Sequence, residues 1–395
     1  MVPHAAAVAR HAAPGGGQRE RPVKPVRLAV VGAGAVSERC HLPAAATVAE
    51  VAVAVLVDPD LGRARRLAAR FGVPHTAPDY RRLPVVVDAA VVATPPALHA
   101  PVALHFLRAG AGVLVEKPLA LAPAEGEMLQ AAAAATGAVL QPAHHLRFAS
   151  GPRLVKRLLE EGRLGALEAV EGVYGVVFDW PVASGSHFLR EQAGGGVVMD
   201  NGSHLLDLLL WWVGDAEVVE AADDAWQGVE AEAHLRLRLH GPAGAVPAAL
   251  TLSWLRHLGR WVRLRGRSLT VEQDLHRWHR VRVWPTGWSP PAPAFAAEPD
   301  PVPPRVAAYA DQLRAFARAV AGEAPPPPLL PDALRALELI AACYRLRRPL
   351  DLPWARPRPA AAPDGAAGPA RGAPAGALDS RPVAPAPSPL AAPAG

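Results

Sequence analysis

The chain has 395 residues, enough for two domains with sizeable cores, and its 41 Lys and Arg against 36 Asp and Glu give a formal net charge of +5. The cations are scattered rather than blocked, so composition excludes a nucleic-acid footprint. The two cysteines, Cys40 and Cys343, form neither a disulfide framework nor a zinc spacing, and no apolar run reaches membrane-spanning length. The expectation is a cytoplasmic protein without a nucleic acid, membrane or metal partner.

Residues 1–24 hold Ala, Gly and Arg without a compact apolar segment and are expected to form a disordered leader. Val26 to Asp58 then reads as strand, glycine turn, helix and second strand, with an acid at the tip. Gly32 permits the tight turn, and Gly34 lets a pyrophosphate approach the backbone. The helix that follows offers free N–H groups to phosphate, so Gly32, Gly34, Ala35 and Val36 are expected at the cofactor. Asp58 is placed to take both ribose hydroxyls and to repel a 2′-phosphate, which favours NAD over NADP. Arg63 lies within reach of the same pocket. The third fingerprint position is Ser37 rather than Gly or Ala.

Helical spacing covers 62–72. A short strand is expected near His75 and Thr76, and a short helix near Asp79. Val85 to Ala93 is a continuous apolar run, as for a parallel strand buried on both faces. It ends in Thr94-Pro95-Pro96. A helix is expected over 97–109, a strand over 113–115, a helix over 123–136 and a last strand at Val139-Leu140. The alternation implies a doubly wound parallel sheet. Glu116-Lys117-Pro118 follows the strand at 113–115 directly, so Lys117 falls in the ligand crevice, beside a nicotinamide.

After Gln141 the pattern changes. A basic amphipathic helix is expected over 154–161, and from about Leu167 apolar residues alternate, as in 235–239, 250–254 and 281–283. Period-two runs mean a largely antiparallel sheet with one covered face. Nine of the ten Trp lie between Trp180 and Trp288, read as packing on that sheet or in a subunit interface. Tyr309, Leu313, Phe316 and Val320 make one helical stripe, and a second helix runs from Pro331 to about Arg347. Residues 355–395 are Ala, Pro and Gly with little apolar bulk and are expected to be disordered.

Gly194-Gly195-Gly196 opens onto a helix bearing Asp200, His204 and Asp207, spaced four and three apart and so on one face. A polar stripe on an apolar helix asks for partners or a use. Catalytic groups, a metal-binding face and a satisfied structural network all fit the spacing, although the metal reading lacks a second ligand cluster.

The glycine fingerprint, Thr94-Pro95 with His99, Glu116-Lys117-Pro118 and the Gly194 to Asp207 motif together resemble the Gfo/Idh/MocA oxidoreductases, from about Val26 to Pro353. The resemblance implies a Rossmann domain over 25–143, a substrate-binding and oligomerisation domain over 144–354 with a large open sheet, and assembly as a homodimer or homotetramer. It implies hydride transfer between NAD, with NADP possible, and a polyhydroxylated substrate such as a sugar or cyclitol. Lys117, Asp200 and His204 would be catalytic. Thr94, Pro95, His99 and Glu116 would contact the cofactor, and Arg147 and Arg190 the substrate. His204 would work near its ordinary pKa as the base, with Asp200 orienting it or a neighbouring hydroxyl; Asp207 would lie deeper. Members often carry Asn where this chain has His145; His144 and His145 are read as ordinary loop residues. A glycoside hydrolase that oxidises its sugar transiently would use the same residues; a non-catalytic NAD(P)-sensing regulator on the same scaffold would be favoured by loss of Lys117 or His204, and both are present.

Overall fold

The computed structural model describes residues 24–182, 185–225, 228–242, 244–288 and 304–350. The expected leader, apart from Lys24, and the Ala/Pro-rich tail lie outside them.

Six strands, β1 (Val26–Val31), β2 (Val51–Val57), β3 (His75–Ala77), β4 (Ala89–Val92), β5 (Gly112–Val115) and β6 (Leu140–Pro142), form one sheet. All pairs are parallel and the order is β3-β2-β1-β4-β5-β6. A π-helical turn (Ser37–His41) runs into α1 (Leu42–Ala45); α2 (Leu61–Phe71), α3 (His99–Arg108) and α4 (Pro123–Thr136) make the other crossovers. Every residue of β4 and β5 is buried, which explains their unbroken apolar runs. The strand order reverses between β1 and β4, and that switch point opens a crevice at the carboxyl ends.

The chain continues through α5 (Ser150–Glu160), β7 (Leu167–Gly175), α6 (Arg190–Ala193) and α7 (Ser203–Trp212). Next come β8 (Asp215–Asp223), β9 (Glu232–Gly241), β10 (Gly244–Ser253), β11 (Gly259–Gly266), β12 (Leu269–Asp274) and β13 (Val281–Pro285). α8 (Pro304–Val320), α9 (Leu330–Leu346) and β14 (Arg347–Pro349) close the described chain. The second sheet has the order β13-β12-β11-β7-β10-β9-β8-β14. Its pairs are antiparallel except β7 with β10 and β8 with β14. The inner face packs Leu235, Leu237, Leu250 and Val262 against Leu205, Leu208 and Leu209 of α7. The outer face carries cross-strand ion pairs, among them Arg236–Glu220 at 3.5 Å and Arg263–Glu171 at 3.4 Å. Exposed pairs of this kind contribute little singly.

Three sequence expectations change. No helix forms at Asp79, because its carboxylate accepts the Arg81 N–H at 3.0 Å and closes a local turn instead. The strand expected over 85–93 is confined to Ala89–Val92, and Val86 is 72 % exposed. The last two helices fill the first domain's core rather than the second sheet's alone. Tyr309, Leu313 and Phe316 of α8 pack with Leu28 and Leu114, and Ala333 and Leu337 of α9 pack with Val113 and Leu129. The fit is close: a Cβ on Gly112 would meet Val320 Cγ2 at 2.5 Å, and one on Gly126 would meet Leu334 Cδ2 at 2.6 Å. Among the described residues no helix is long and apolar enough to cross a membrane.

Candidate active site

The crevice begins at the first glycine turn. Gly32 has φ +105°, and a Cβ there would run into the Ala93 carbonyl at the end of β4, so the position requires glycine. Gly34 has open space where its Cβ would be, which leaves the backbone free to meet a ligand. Ser37 donates its hydroxyl to the Gly32 carbonyl at 2.5 Å, so the residue that departs from the fingerprint ties down the turn. The cradle therefore fits a dinucleotide pyrophosphate. Asp58 is buried and fully engaged: Oδ2 accepts from Ala33 N at 2.8 Å, and Oδ1 from Asp60 N at 2.9 Å and Arg63 Nη2 at 2.8 Å. Arg63 thus stands beside the acid that was expected to govern the ribose pocket.

The loops after β4 and β5 are stapled together by His99. Its buried ring lies 2.7 Å from the Pro118 carbonyl and 3.0 Å from that of Thr94, at the base of the Thr94-Pro95 turn. Glu116 leaves β5 into the interior, where Oε1 is 2.8 Å from His41 Nε2 and Oε2 accepts the Lys117 N–H at 3.1 Å. Burial alone would raise the Glu116 carboxyl. The His41 hydrogen bond and the His41, His145 and Lys117 charges outweigh it and hold the group at about 2.

Lys117 Nζ forms an ion pair with the Asp200 carboxylate and lies 3.3 Å from the Asp200 carbonyl. Burial works against the ammonium, but Asp200 and then Glu116 outweigh it and raise its pKa. Asp200 comes from a π-helical turn (Val198–Gly202) that runs into α7, and His204 follows one turn later. Asp200 therefore partners Lys117 rather than orienting His204. His204 is half-buried, and among the described residues no hydrogen bond holds its ring. Burial first, then the Lys117, His145 and His144 charges, push it well below the ordinary histidine range, not near it as expected.

His145 and His144 are not ordinary loop residues. His145 is buried, stacks on Tyr309 at 4.5 Å, lies 4.9 Å from Trp278, and meets the His204 ring edge-on at 5.3 Å. Its Nδ1 is buried without a partner, and burial pushes the ring down to about 3. Tyr174 and His187 also feel both Asp200 and Lys117, so they border the same pair. Sequence reasoning missed these residues; the one available signal was His145 at a position where Asn is usual.

Arg147 and Asp207 belong elsewhere. Arg147 is buried, with Nε 3.0 Å from both Asp207 oxygens, Nη2 2.6 Å from Oδ1, Nη2 2.8 Å from Asp332, and its guanidinium over Trp211. Its donors are enclosed, which corrects its assignment to the substrate. His144 Nδ1 lies 3.5 Å from the same Asp207. Arg190 lies 5.1 Å above the Tyr344 ring. The Tyr344 hydroxyl donates to Glu230 Oε1 at 2.8 Å, and that oxygen also accepts from Gly196 N at 2.9 Å and Val198 N at 3.0 Å. Arg190 thus joins the clamp on the triple-glycine turn and not the Lys117 cluster. Among the described residues no three His, Cys, Asp or Glu are grouped to hold a metal ion.

The lowered histidines have a consequence for stability. His99, His144, His145, His187 and His204 all bind a proton less readily in the fold than in the open chain, burial being the first cause in each. Below about pH 6.5 the unfolded chain takes up protons that the folded one refuses, so stability is lost as pH falls from there toward the folded pKa values. Tm is expected to be flat between about pH 7 and 8 and to decline already between about pH 6.5 and 5, above the carboxylate range. His145→Gln should flatten that decline. An unchanged slope in the variant, or no decline at all, would show that these rings are solvated.

A glycine cradle at a sheet's switch point, with a charged Lys and a neutral His at its rim, defines a dinucleotide-dependent oxidoreductase scaffold. The chain belongs to the Gfo/Idh/MocA family. The profile described as "Oxidoreductase family, NAD-binding Rossmann fold" matches residues 26–144, and "GFO/IDH/MocA C-terminal domain" matches 153–272. The 1,5-anhydro-D-fructose reductase of Ensifer adhaerens is 38% identical over 146 residues, 36% of this chain and 44% of the relative. The dTDP-3,4-didehydro-2,6-dideoxy-alpha-D-glucose 3-reductase of Saccharopolyspora spinosa is 32% identical over 181 residues, 45% of this chain and 53% of the relative. The chain thus spans about half the length of the curated relatives it matches. A 3-ketoreductase from Actinomadura kijaniata, solved with NADP and TDP-benzene, superposes with a TM-score of 0.70 at 23% identity, covering 84% of this chain and 100% of that one; the likeness is one of fold.

Proposed function

We propose that the protein is a nicotinamide-dependent oxidoreductase that moves a hydride between the cofactor and a carbon bearing a hydroxyl or keto oxygen on a sugar-derived substrate. The observation that carries this is the Lys117–Asp200 ion pair beside an uncharged His204, at the carboxyl end of β5. The cofactor, when bound, supplies or accepts the hydride. The Lys117 ammonium stabilises negative charge on the substrate oxygen as the hydroxyl proton leaves, and the neutral His204 ring accepts that proton. In the reverse direction the Lys117 ammonium hydrogen-bonds the carbonyl oxygen and polarises it. Asp200 keeps Lys117 charged against burial, and Glu116, held ionised by His41, adds to this.

The test is a panel of sugars, cyclitols and sugar acids with their keto forms, each with NAD and NADP, followed by absorbance of the reduced cofactor. Turnover in either direction supports the reading. Glycoside cleavage without net redox would replace it by transient oxidation, and tight cofactor binding without turnover of any substrate would replace it by a sensing role.

Cofactor choice is expected to favour NAD, because the Asp58 side chain stands at the ribose end of the cradle, where a 2′-phosphate would have to fit. Asp58→Ala frees Arg63 from its 2.8 Å contact and should raise kcat/KM for NADP at least about tenfold relative to NAD, since a freed guanidinium pairs well with phosphate. A wild-type preference for NADP would mean that Arg63, not Asp58, governs the pocket.

A further inference from the structure

The triple-glycine turn that leads into Asp200 is held by one buried residue, Glu230, which lies just before β9. The Glu230 main-chain carbonyl accepts the Val197 N–H at 2.8 Å. Its side-chain Oε1 accepts the N–H of Gly196 at 2.9 Å and that of Val198 at 3.0 Å. Three successive amides at the start of the helix that carries Asp200 and His204 therefore find their partners on a single residue. A helix leaves its first N–H groups without partners of its own, and a carboxylate placed there also meets the positive end of the helix dipole. Tyr344 of α9 donates to the same oxygen at 2.8 Å. Burial raises the Glu230 pKa, and the hydrogen bonds it accepts work the other way. The glycines are what admit this clamp: a Cβ on Gly196 would run into the Glu230 main chain, and one on Gly195 into the Tyr344 hydroxyl. The same segment also reaches the residue after Asp200. Trp254 donates its main-chain N–H to the Ala231 carbonyl at 2.7 Å and its indole N–H to Asn201 at 3.3 Å.

We propose that Glu230 is a positioning residue of this site: by fixing the start of the π-helical turn it sets where the Asp200 carboxylate stands, and so keeps Asp200 on the Lys117 ammonium. The Asp200 N–H donates to the Gly196 carbonyl at 2.9 Å, so a shift at Gly196 is passed directly to Asp200. The Lys117–Asp200 contact joins residues 83 positions apart, and it depends on how each of their two segments is anchored. On the Lys117 side the anchor is Glu116, which is tied to His41. On the Asp200 side it is Glu230. The inference rests on the oxidoreductase reading for what Lys117 does to a substrate, but not for the arrangement itself.

Lys117 can be followed without turnover. The chain has three lysines, Lys24, Lys117 and Lys156. Trace acetylation of the full chain with acetic anhydride at about pH 9, resolved by mass spectrometry, reads Lys117 against Lys156 as an internal reference. Only the neutral amine reacts, and displacing Asp200 leaves burial to lower the Lys117 pKa. Glu230→Asp keeps the charge but is too short to reach the turn, Glu230→Ala has no carboxyl, and Glu230→Gln keeps the reach without the charge. In the two short variants Lys117 acetylation should rise at least about tenfold and single-turnover hydride transfer should fall by a similar factor, with NAD affinity retained. Glu230→Gln should recover most of both. In an Asp200→Asn background Glu230→Asp should add less than about twofold, because the two residues act through one contact. Asp207→Asn lowers Tm without touching this contact and should leave Lys117 acetylation within about twofold of wild type. Wild-type acetylation in Glu230→Asp, a Glu230→Gln variant as impaired as Glu230→Asp, effects of Glu230→Asp and Asp200→Asn that multiply, or loss of folding in both short variants overturns the proposal. Absence of hydride transfer in the wild type would count against the oxidoreductase reading and leave the acetylation result standing.

Discussion

Lys117→Ala is expected to lower the rate of hydride transfer a hundredfold or more while NAD affinity changes little. The ammonium is held charged by Asp200, and the charge it stabilises develops at the substrate oxygen only as the reaction proceeds, so its effect falls on the transition state. Removing one such donor typically costs about 3 kcal/mol. His204→Ala removes the proton acceptor, worth about a hundred- to ten-thousandfold. Asp200→Asn has a different signature. Burial opposes the Lys117 charge, and Asp200 is the first of the groups that sustain it. In the Asn variant the Lys117 pKa should fall, so its activity should be lost at a lower pH than in the wild type. Single-turnover hydride transfer with NAD binding measured separately distinguishes the three. Near-normal transfer in the Lys117 and His204 variants would sink the mechanism.

The elements of both sheets were legible because burial leaves a period in the sequence. The unbroken run of β4 is buried on both faces, and the alternation of β9 places Leu235, Leu237 and Leu239 inward with Arg236 and Arg238 outward. The glycine turns were legible because few residues other than glycine tolerate the Gly32 conformation. What did not show was pairing across long chain distances. Lys117 and Asp200 are 83 residues apart, and neither announces the other. Arg147 looked available because its partners Asp207 and Asp332 come from α7 and α9. His145 looked like a loop residue because the ring that covers it, Tyr309, arrives on α8. The same return of α8 and α9 is why a linear division of the chain misses which core they fill. The histidine pKa values followed from those burials and so were out of reach of local pattern.

Asp207→Asn is expected to lower stability by about 3 kcal/mol, yet to leave hydride transfer per folded molecule within about tenfold of wild type. The reason is the enclosure of Arg147: removing one member of a buried pair leaves a guanidinium away from water, which typically costs about 3–5 kcal/mol. Asp332, 2.8 Å away, remains and holds the loss to the lower end. The double variant Arg147→Met/Asp207→Leu removes both charges and fills the space, so it should be more stable than Asp207→Asn alone, since apolar replacements of buried pairs are often neutral. His144, 3.5 Å from Asp207, carries a second signature: burial lowers its pKa and Asp207 partly offsets that. Without the carboxylate, His144 should become harder still to protonate. The decisive comparison is with Asp200→Asn, about two helical turns away along the same segment. If Asp207→Asn abolished transfer at unchanged Tm, Asp207 would have to face the substrate, and the Arg147 network would be part of the reaction rather than the frame that holds α7 behind it.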